Sequence, residues 1–234
     1  MHAAKTPLWL NALAHLFPLS IAVFFIFTTF TDPQQMHLYI SKDHIEGGGL
    51  IENLTVLVLI PGIIAGAYTF FKYRKSFSTW LIPYWLLMWT LACFYFAGEE
   101  ISWGQWLFEW ETPQSISQLN DQNETNFHNM STWLDQKPRT LVELWIFLTG
   151  LILPIFRSFK NNDEKLWKQW IFPVNSLFTA ALLFTAVRLS GWIENPVFRD
   201  LLGSSEFREL TIAVFLSLYL ISFWARAIHN NHLQ

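Results

Sequence analysis

The sequence predicts an all-α fold: a polytopic membrane protein of about six transmembrane helices, with a structured outer loop carrying short interfacial helices, as one domain over residues 1–234. Three observations predict it. Hydrophobic residues make up 52% of the chain and charged residues 14%, against about 25% charged in soluble domains. Apolar runs recur along the chain, each close to the roughly 20 residues that cross a bilayer core. Tryptophans gather near the ends of those runs, where indole rings prefer the membrane–water interface. The same composition excludes other classes. A net charge of -3 with no basic stripe gives nucleic acid no footprint. The single cysteine, Cys93, lies inside an apolar run, which rules out an intrachain disulfide and argues against redox chemistry.

The first run, 8–30, is too long for a signal-peptide core and lacks a small-x-small cleavage site, so it reads as a retained helix. His15 and Asn11 in its first half are expected to hydrogen-bond a neighbouring helix. The second run, 49–71, opens at Gly47-Gly48-Gly49, carries Glu52 near its start and ends in the basic turn Lys72, Arg74, Lys75. The third, 79–98, ends at paired glutamates. The fourth, 140–156, is the shortest; the fifth, 170–190, has Arg188 near its end; the sixth covers 208–226. Trp9, Trp80, Trp145, Trp170, Trp192 and Trp224 sit near these ends and are expected to form interfacial belts.

Six spans place both termini on one side. With the N-terminus inside, the inner segments hold Lys5, Lys72, Arg74, Lys75, Arg157, Lys160, Lys165, Lys168 and Arg226, nine of the fifteen basic residues. The positive-inside rule therefore predicts cytoplasmic termini and a functional face toward the periplasm.

Chemistry concentrates in residues 98–129, GEEISWGQWLFEWETPQSISQLNDQNETNFHN. Two carboxylates at a membrane boundary, Glu99 and Glu100, are costly unless solvated, paired, metal-bound or protonated. Adjacent helical residues point about 100° apart, so one is expected to face the bundle and the other water. A carboxyl held in the bundle suits general acid or base work; a solvated helix end is the plainer alternative. If the helix continues, Glu99, Ser102, Trp103 and Trp106 share a face at i, i+3, i+4 and i+7, with the tryptophans toward lipid in an interfacial helix. Gly104 would let the backbone approach a ligand or helix closely, and Thr112-Pro113 ends the segment. Farther on, a helix over 121–129 would set Glu124 and His128 at i and i+4. Gln122, Asn126 and Asn129 add amides that donate and accept together. This set fits a divalent metal, a held water or a polar head group. A metal would take Glu100, Glu124 and His128, although zinc usually claims more than one His or Cys. His37 and His44 would join only if their loop folds over the site.

At the helix ends, Glu52, Glu143 and Glu209 are explained as first-turn acids that suit the helix dipole. Arg188, inside an apolar end, needs an outer glutamate as partner or takes a substrate phosphate or carboxylate.

Together the GEEISWGQ and QNETNFHN blocks resemble a family of uncharacterised bacterial polytopic membrane proteins that carry GEExSWGQ and then QxExNxHN. The matching positions are Gly98, Glu99, Glu100, Ser102, Trp103, Gly104 and Gln105, then Gln122, Glu124, Asn126, His128 and Asn129. The resemblance implies a bacterial inner-membrane protein and carries no activity with it. A weaker likeness is to membrane-embedded ceramidase-type hydrolases, which combine Glu, Ser, Asp and His at helix ends. Those bind zinc through several histidines, a pattern from which this chain departs.

The functional expectation is an enzyme that hydrolyses or transfers a group on a lipid or lipid-linked envelope substrate, with membrane lipid as its partner. Glu99 or Glu100 would be the acid or base, and His128, oriented by Glu124, a second proton-transfer group or metal ligand. Ser102, Gln105, Gln122, Asn126, Asn129 and Arg188 would hold the head group, with Trp103 and Trp106 on its apolar part. A non-catalytic lipid- or partner-binding accessory protein is the alternative. A small-solute transporter is a third, disfavoured because transport usually leaves polar or broken helices near the midplane, and the runs at 55–70, 142–156 and 211–222 show few such residues.

Overall fold

A computed structural model describes residues 6–40, 49–114, 125, 132–159 and 165–231; they are helical, with no strand among them. We name the α-helices α1 (Leu8–Thr31), α2 (Pro33–Ile40), α3 (Leu50–Tyr73), α4 (Leu81–Glu100), α5 (Gln105–Phe108), α6 (Thr132–Trp145), α7 (Leu153–Phe159), α8 (Leu166–Ile171), α9 (Phe178–Ser190) and α10 (Ser205–Asn231). Among the described residues, six stretches are long and apolar enough to cross a membrane: Leu8–Thr31, Leu50–Tyr73, Leu81–Glu100, Lys137–Phe159, Leu166–Ser190 and Ser205–His229. This is the architecture of a multi-pass membrane protein. Large apolar side chains such as Phe27, Ile64, Phe71, Leu91 and Phe156 stand exposed on its flanks, as lipid-facing positions do.

The spans alternate in direction. Phe25 packs on Phe207 and Trp9 on Trp224, which sets α1 antiparallel to α10 and brings Leu8 and Asn231 to one end. Glu99, the N-termini of α3, α6 and α10, and the C-termini of α1 and α9 share the other end, called here the Glu99 end. His15 Nδ1 lies 2.5 Å from Thr179 Oγ1 on α9, the inter-helix hydrogen bond expected of it.

Helix α10 is the central post. In its apolar window 83% of residues are buried against protein, compared with 17% in the fourth span. Two glycines let α3 come close to its neighbours: a Cβ on Gly62 would lie 2.7 Å from Ser217 Cα of α10, and one on Gly66 would strike Thr90 of α4. The Gly-x-x-x-Gly spacing is thus spent inside the molecule.

Two spans depart from regular helix. Between α6 and α7 the chain winds as a π-helix over Ile146–Ile152, with Gly150 pressed against Phe215 and Ala181. Between α8 and α9 it breaks at Phe172-Pro173, where proline lacks an N–H and drives the preceding residue to an extended conformation (ψ 146° at Phe172). The carbonyls freed there find donors on α10. Tyr219 Oη donates to Ile171 O at 2.5 Å and accepts from Trp85 Nε1 at 2.7 Å. Arg226 donates to Gln169 O at 2.7 Å, to Trp170 O at 3.4 Å and to Ser222 O at 3.0 Å, with its guanidinium 4.8 Å from the Trp170 ring centre. Arg226 therefore is not the solvated flanking charge that the topology count assumed; it is 3% exposed.

The tryptophan belts also need correction. Trp9, Trp80 and Trp192 are exposed as expected, but Trp170 is 1% exposed, and Trp145 packs in a cluster with Trp85, Trp89, Phe215 and Tyr219. Helix pairs that cross closely take these rings into the core, where each buries a large area.

Candidate functional site

Helix α4 stops directly after the glutamate pair. Ser102, Trp103 and Gly104 take φ of 46°, 56° and 86°, three consecutive residues in the left-handed region. Glycine occupies that region freely, whereas each non-glycine residue there costs about 1–3 kcal/mol. Such strain persists only where surrounding contacts over-determine it. Here the contact is visible: the reversed chain folds Trp103 back on α4, and its Nε1 donates to Glu99 Oε1 at 2.7 Å. The ring lies on Gly98, where a Cβ would come within 2.8 Å of it, and meets Phe94 and Tyr95 edge to face. The Tyr95 hydroxyl faces the same carboxylate.

Glu99 is thus 4% exposed and Glu100 half-buried, which divides the pair as their angular separation requires. At the C-terminal end of a helix the nearby backbone offers carbonyls rather than N–H donors, so the carboxylate needs side-chain donors such as the indole. The expected continuous face from Glu99 to Trp106 does not form. The left-handed turn interrupts it, and Trp103 is packed on its own helix instead of pointing to lipid.

After the turn comes α5, closed by Glu109 at φ 54°. Gln105 is buried and uses both ends of its amide: Nε2 donates to Thr112 Oγ1 at 3.0 Å, and Oε1 accepts from Thr125 N at 2.6 Å. Trp110 Nε1 adds a donation to Thr125 Oγ1 at 3.3 Å. Gln105 therefore ties Thr112 and Thr125 to the start of α5. Phe108 and Trp110 stack in parallel beside Gly104, centroids 5.8 Å apart, with Phe108 exposed.

Of the expected site residues, Glu99 and Trp103 meet directly, and Glu100, Ser102 and Gln105 lie in or beside the turn along the chain. Ser102 is buried within the turn, and the backbone of Trp106 belongs to α5. Gln122, Glu124, Asn126, His128 and Asn129 lie outside the described residues, as does His44. Among the described residues no three His, Cys, Asp or Glu side chains group as a metal would need.

Arg188 has an outer glutamate as partner, one of the two readings given for it. Its Nε lies 3.3 Å from Glu143 Oε2, and its guanidinium sits 5.0 Å from the centre of the Trp192 ring. Arg208 Nε reaches the other oxygen of Glu143 at 3.4 Å, and Arg139 pairs with Glu209 at 2.5 Å. The ion pairs join α6, α9 and α10. Glu143 and Glu209 are consequently more than first-turn acids: Glu143 lies two residues from the end of α6, and Glu209 is the fifth residue of α10. Only Glu52 keeps the expected role, its Oε2 accepting from Gly49 N at 2.9 Å. Sequence reasoning missed Tyr95 and the bonds that Gln105 makes to Thr112 and Thr125. Tyr95, four residues before Glu99, was detectable from helical spacing.

An open groove of about 560 Å³ separates α2 from a π-helical segment, Val197–Leu202. Pro33, Leu38, Pro196 and Val197 line it, with His37 and Asp200 as its ionisable groups. His37 thus lines this groove with Asp200. The exposed Arg199 holds the Asp200 carboxyl below the usual carboxylate range through a 2.6 Å hydrogen bond. No protein-family model, curated protein or solved structure matches the chain.

Proposed function

We propose that this protein is an inner-membrane enzyme that hydrolyses or transfers a group on a lipid or lipid-linked envelope substrate, with Glu99 as its acid or base. The observation that carries the reading is the Trp103–Glu99 hydrogen bond across a strained left-handed turn. A buried carboxylate aimed by an indole at a bundle end is a costly arrangement, and in this reading it lies at the depth of head groups. In this reading the Glu99 end faces the periplasm and both chain ends face the cytoplasm, as the distribution of Lys and Arg favours. Glu100 meets the polar part of the substrate, while Gln105 fixes Thr125 beside the turn.

The broken fifth span and the π-helix would suit transport. However, the carbonyls at the break are hydrogen-bonded by Tyr219 and Arg226, which leaves them no role in lining a path.

The test incubates purified protein, in nanodiscs made from a bacterial polar lipid extract, beside Glu99→Gln, with lipids followed by mass spectrometry. Loss of one lipid species and appearance of its hydrolysed or transferred product with wild type alone, both proteins melting alike, is the expected result. An unchanged lipid profile with wild type would overturn the enzymatic reading.

A further inference from the structure

Two arginines share one carboxylate in the network described above. Arg188 and Arg208 approach opposite oxygens of Glu143 through Nε alone, at 3.3 and 3.4 Å. Among the described residues, neither arginine uses a terminal guanidinium nitrogen in a hydrogen bond. Arg208 Nε and Glu143 Oε1 are hidden from solvent yet lack hydrogen-bond geometry toward each other. The trio carries one excess positive charge. Arg139 and Arg188 lie close enough to repel Arg208, while Glu143 and Glu209 attract it. The guanidinium groups are nonetheless reachable, with side-chain exposures of 34% and 20%.

Position narrows the ligand. Trp192, exposed and stacked on Arg188, is an interfacial tryptophan, and such rings sit at the depth of lipid head groups. Guanidinium groups offer paired N–H donors that match phosphate oxygens. A single negative charge would neutralise the trio, and a phosphodiester carries one.

We propose that Arg188 and Arg208, held apart by Glu143, form a binding site for the phosphodiester of a phospholipid head group. The site uses α6, α9 and α10, and none of the interactions of Arg188 or Arg208 involves Glu99, Trp103 or Gln105. It stands or falls apart from the catalytic reading, and Glu99→Gln retains it.

The probes are phosphatidylglycerol, diacylglycerol with the same acyl chains, and inorganic phosphate, each added to delipidated protein in detergent. Native mass spectrometry reads retained lipid, and thermal unfolding reads protection. Wild type is expected to retain phosphatidylglycerol over diacylglycerol, and Arg188→Gln or Arg208→Gln to weaken that retention by roughly tenfold. Arg199→Gln, at an exposed pair elsewhere, leaves it unchanged. Arginine-dependent protection by inorganic phosphate without lipid preference would support the anion site but replace the lipid by a soluble phosphate source. Equal retention of diacylglycerol, or full retention by both arginine variants, overturns the proposal. Should Arg208→Gln fail to fold, the more exposed Arg188→Gln decides alone.

Discussion

Trp103 donates its indole N–H to Glu99 at 2.7 Å from a backbone in the left-handed region. Trp103→Phe keeps an aromatic ring on Gly98 and removes only the donor. Leaving a buried carboxylate short of a partner costs about 1–3 kcal/mol, toward the lower end here because Tyr95 faces the same group. A lower melting temperature in detergent, together with loss of lipid turnover, is expected. Unaltered melting would mean that the hydrogen bond does not hold the turn.

Gln105→Leu keeps the volume but deletes the amide's hydrogen bonds to Thr112 and Thr125. The Thr125 N–H then loses its acceptor. Hydrogen exchange at that amide should accelerate relative to wild type, with exchange in α3 and α10 unchanged. Equal protection in both proteins would show that Gln105 is not the fastener.

Gly62→Ala sets two effects against each other. Alanine favours helix over glycine by about 1 kcal/mol, but its methyl would lie 2.7 Å from Ser217 Cα. A backbone atom of the central post cannot swing aside as a side-chain tip can, and overpacking of this kind costs about 1–3 kcal/mol. Net destabilisation is expected in thermal or denaturant unfolding; a gain in stability would contradict the packing described.

Tyr219→Phe removes one oxygen and strands two groups, the Trp85 indole N–H and the Ile171 carbonyl. About 1–3 kcal/mol of stability should be lost. Trp85→Phe combined with Tyr219→Phe should cost less than the sum of the single changes, because the indole N–H goes with its acceptor. Additive losses would show that the two side chains act independently.

The Asp200 carboxyl is lowered by Arg199. A depressed acid adds stability that is present above its unfolded-state value and lost as pH falls through the folded one. Arg199→Gln should therefore move the Asp200 titration upward, as observed by carboxyl carbon NMR. Both partners are exposed, so melting near neutral pH should scarcely change. An unmoved titration would refute the pairing.

The six spans were legible because hydropathy over about 20 residues is a sufficient signal for crossing a bilayer. Their arrangement was not. All six runs are strongly apolar, and composition cannot distinguish a lipid-facing Leu from a protein-facing one, so the central place of α10 was hidden. The same blindness put Trp145 and Trp170 in a belt, since an indole near a helix end can turn either way. Glu99 and Glu100 stood out in the sequence because carboxylates are conspicuous in an apolar chain. The turn after them did not, because Ser102 and Trp103 adopt a conformation that their residue types disfavour. For Arg188 the need for a carboxylate was readable, but the choice of Glu143, 45 positions away, follows from how α6 and α9 cross.

The post around which the other spans pack is also the one that follows them in chain order. As the polypeptide leaves the ribosome, the inner faces of α1, α3 and α4 are made before Phe207, Phe215 and Tyr219 exist to meet them. Thr55, Thr69 and Thr90, fully or nearly buried in the finished bundle, each donate to the carbonyl four residues back in their own helix. That self-sufficiency lets the early helices wait in lipid without stranded hydroxyls. The centre of the bundle is thereby completed only once α10 has been made, and a ribosome stalled before α10 would leave a set of spans with no centre to close upon.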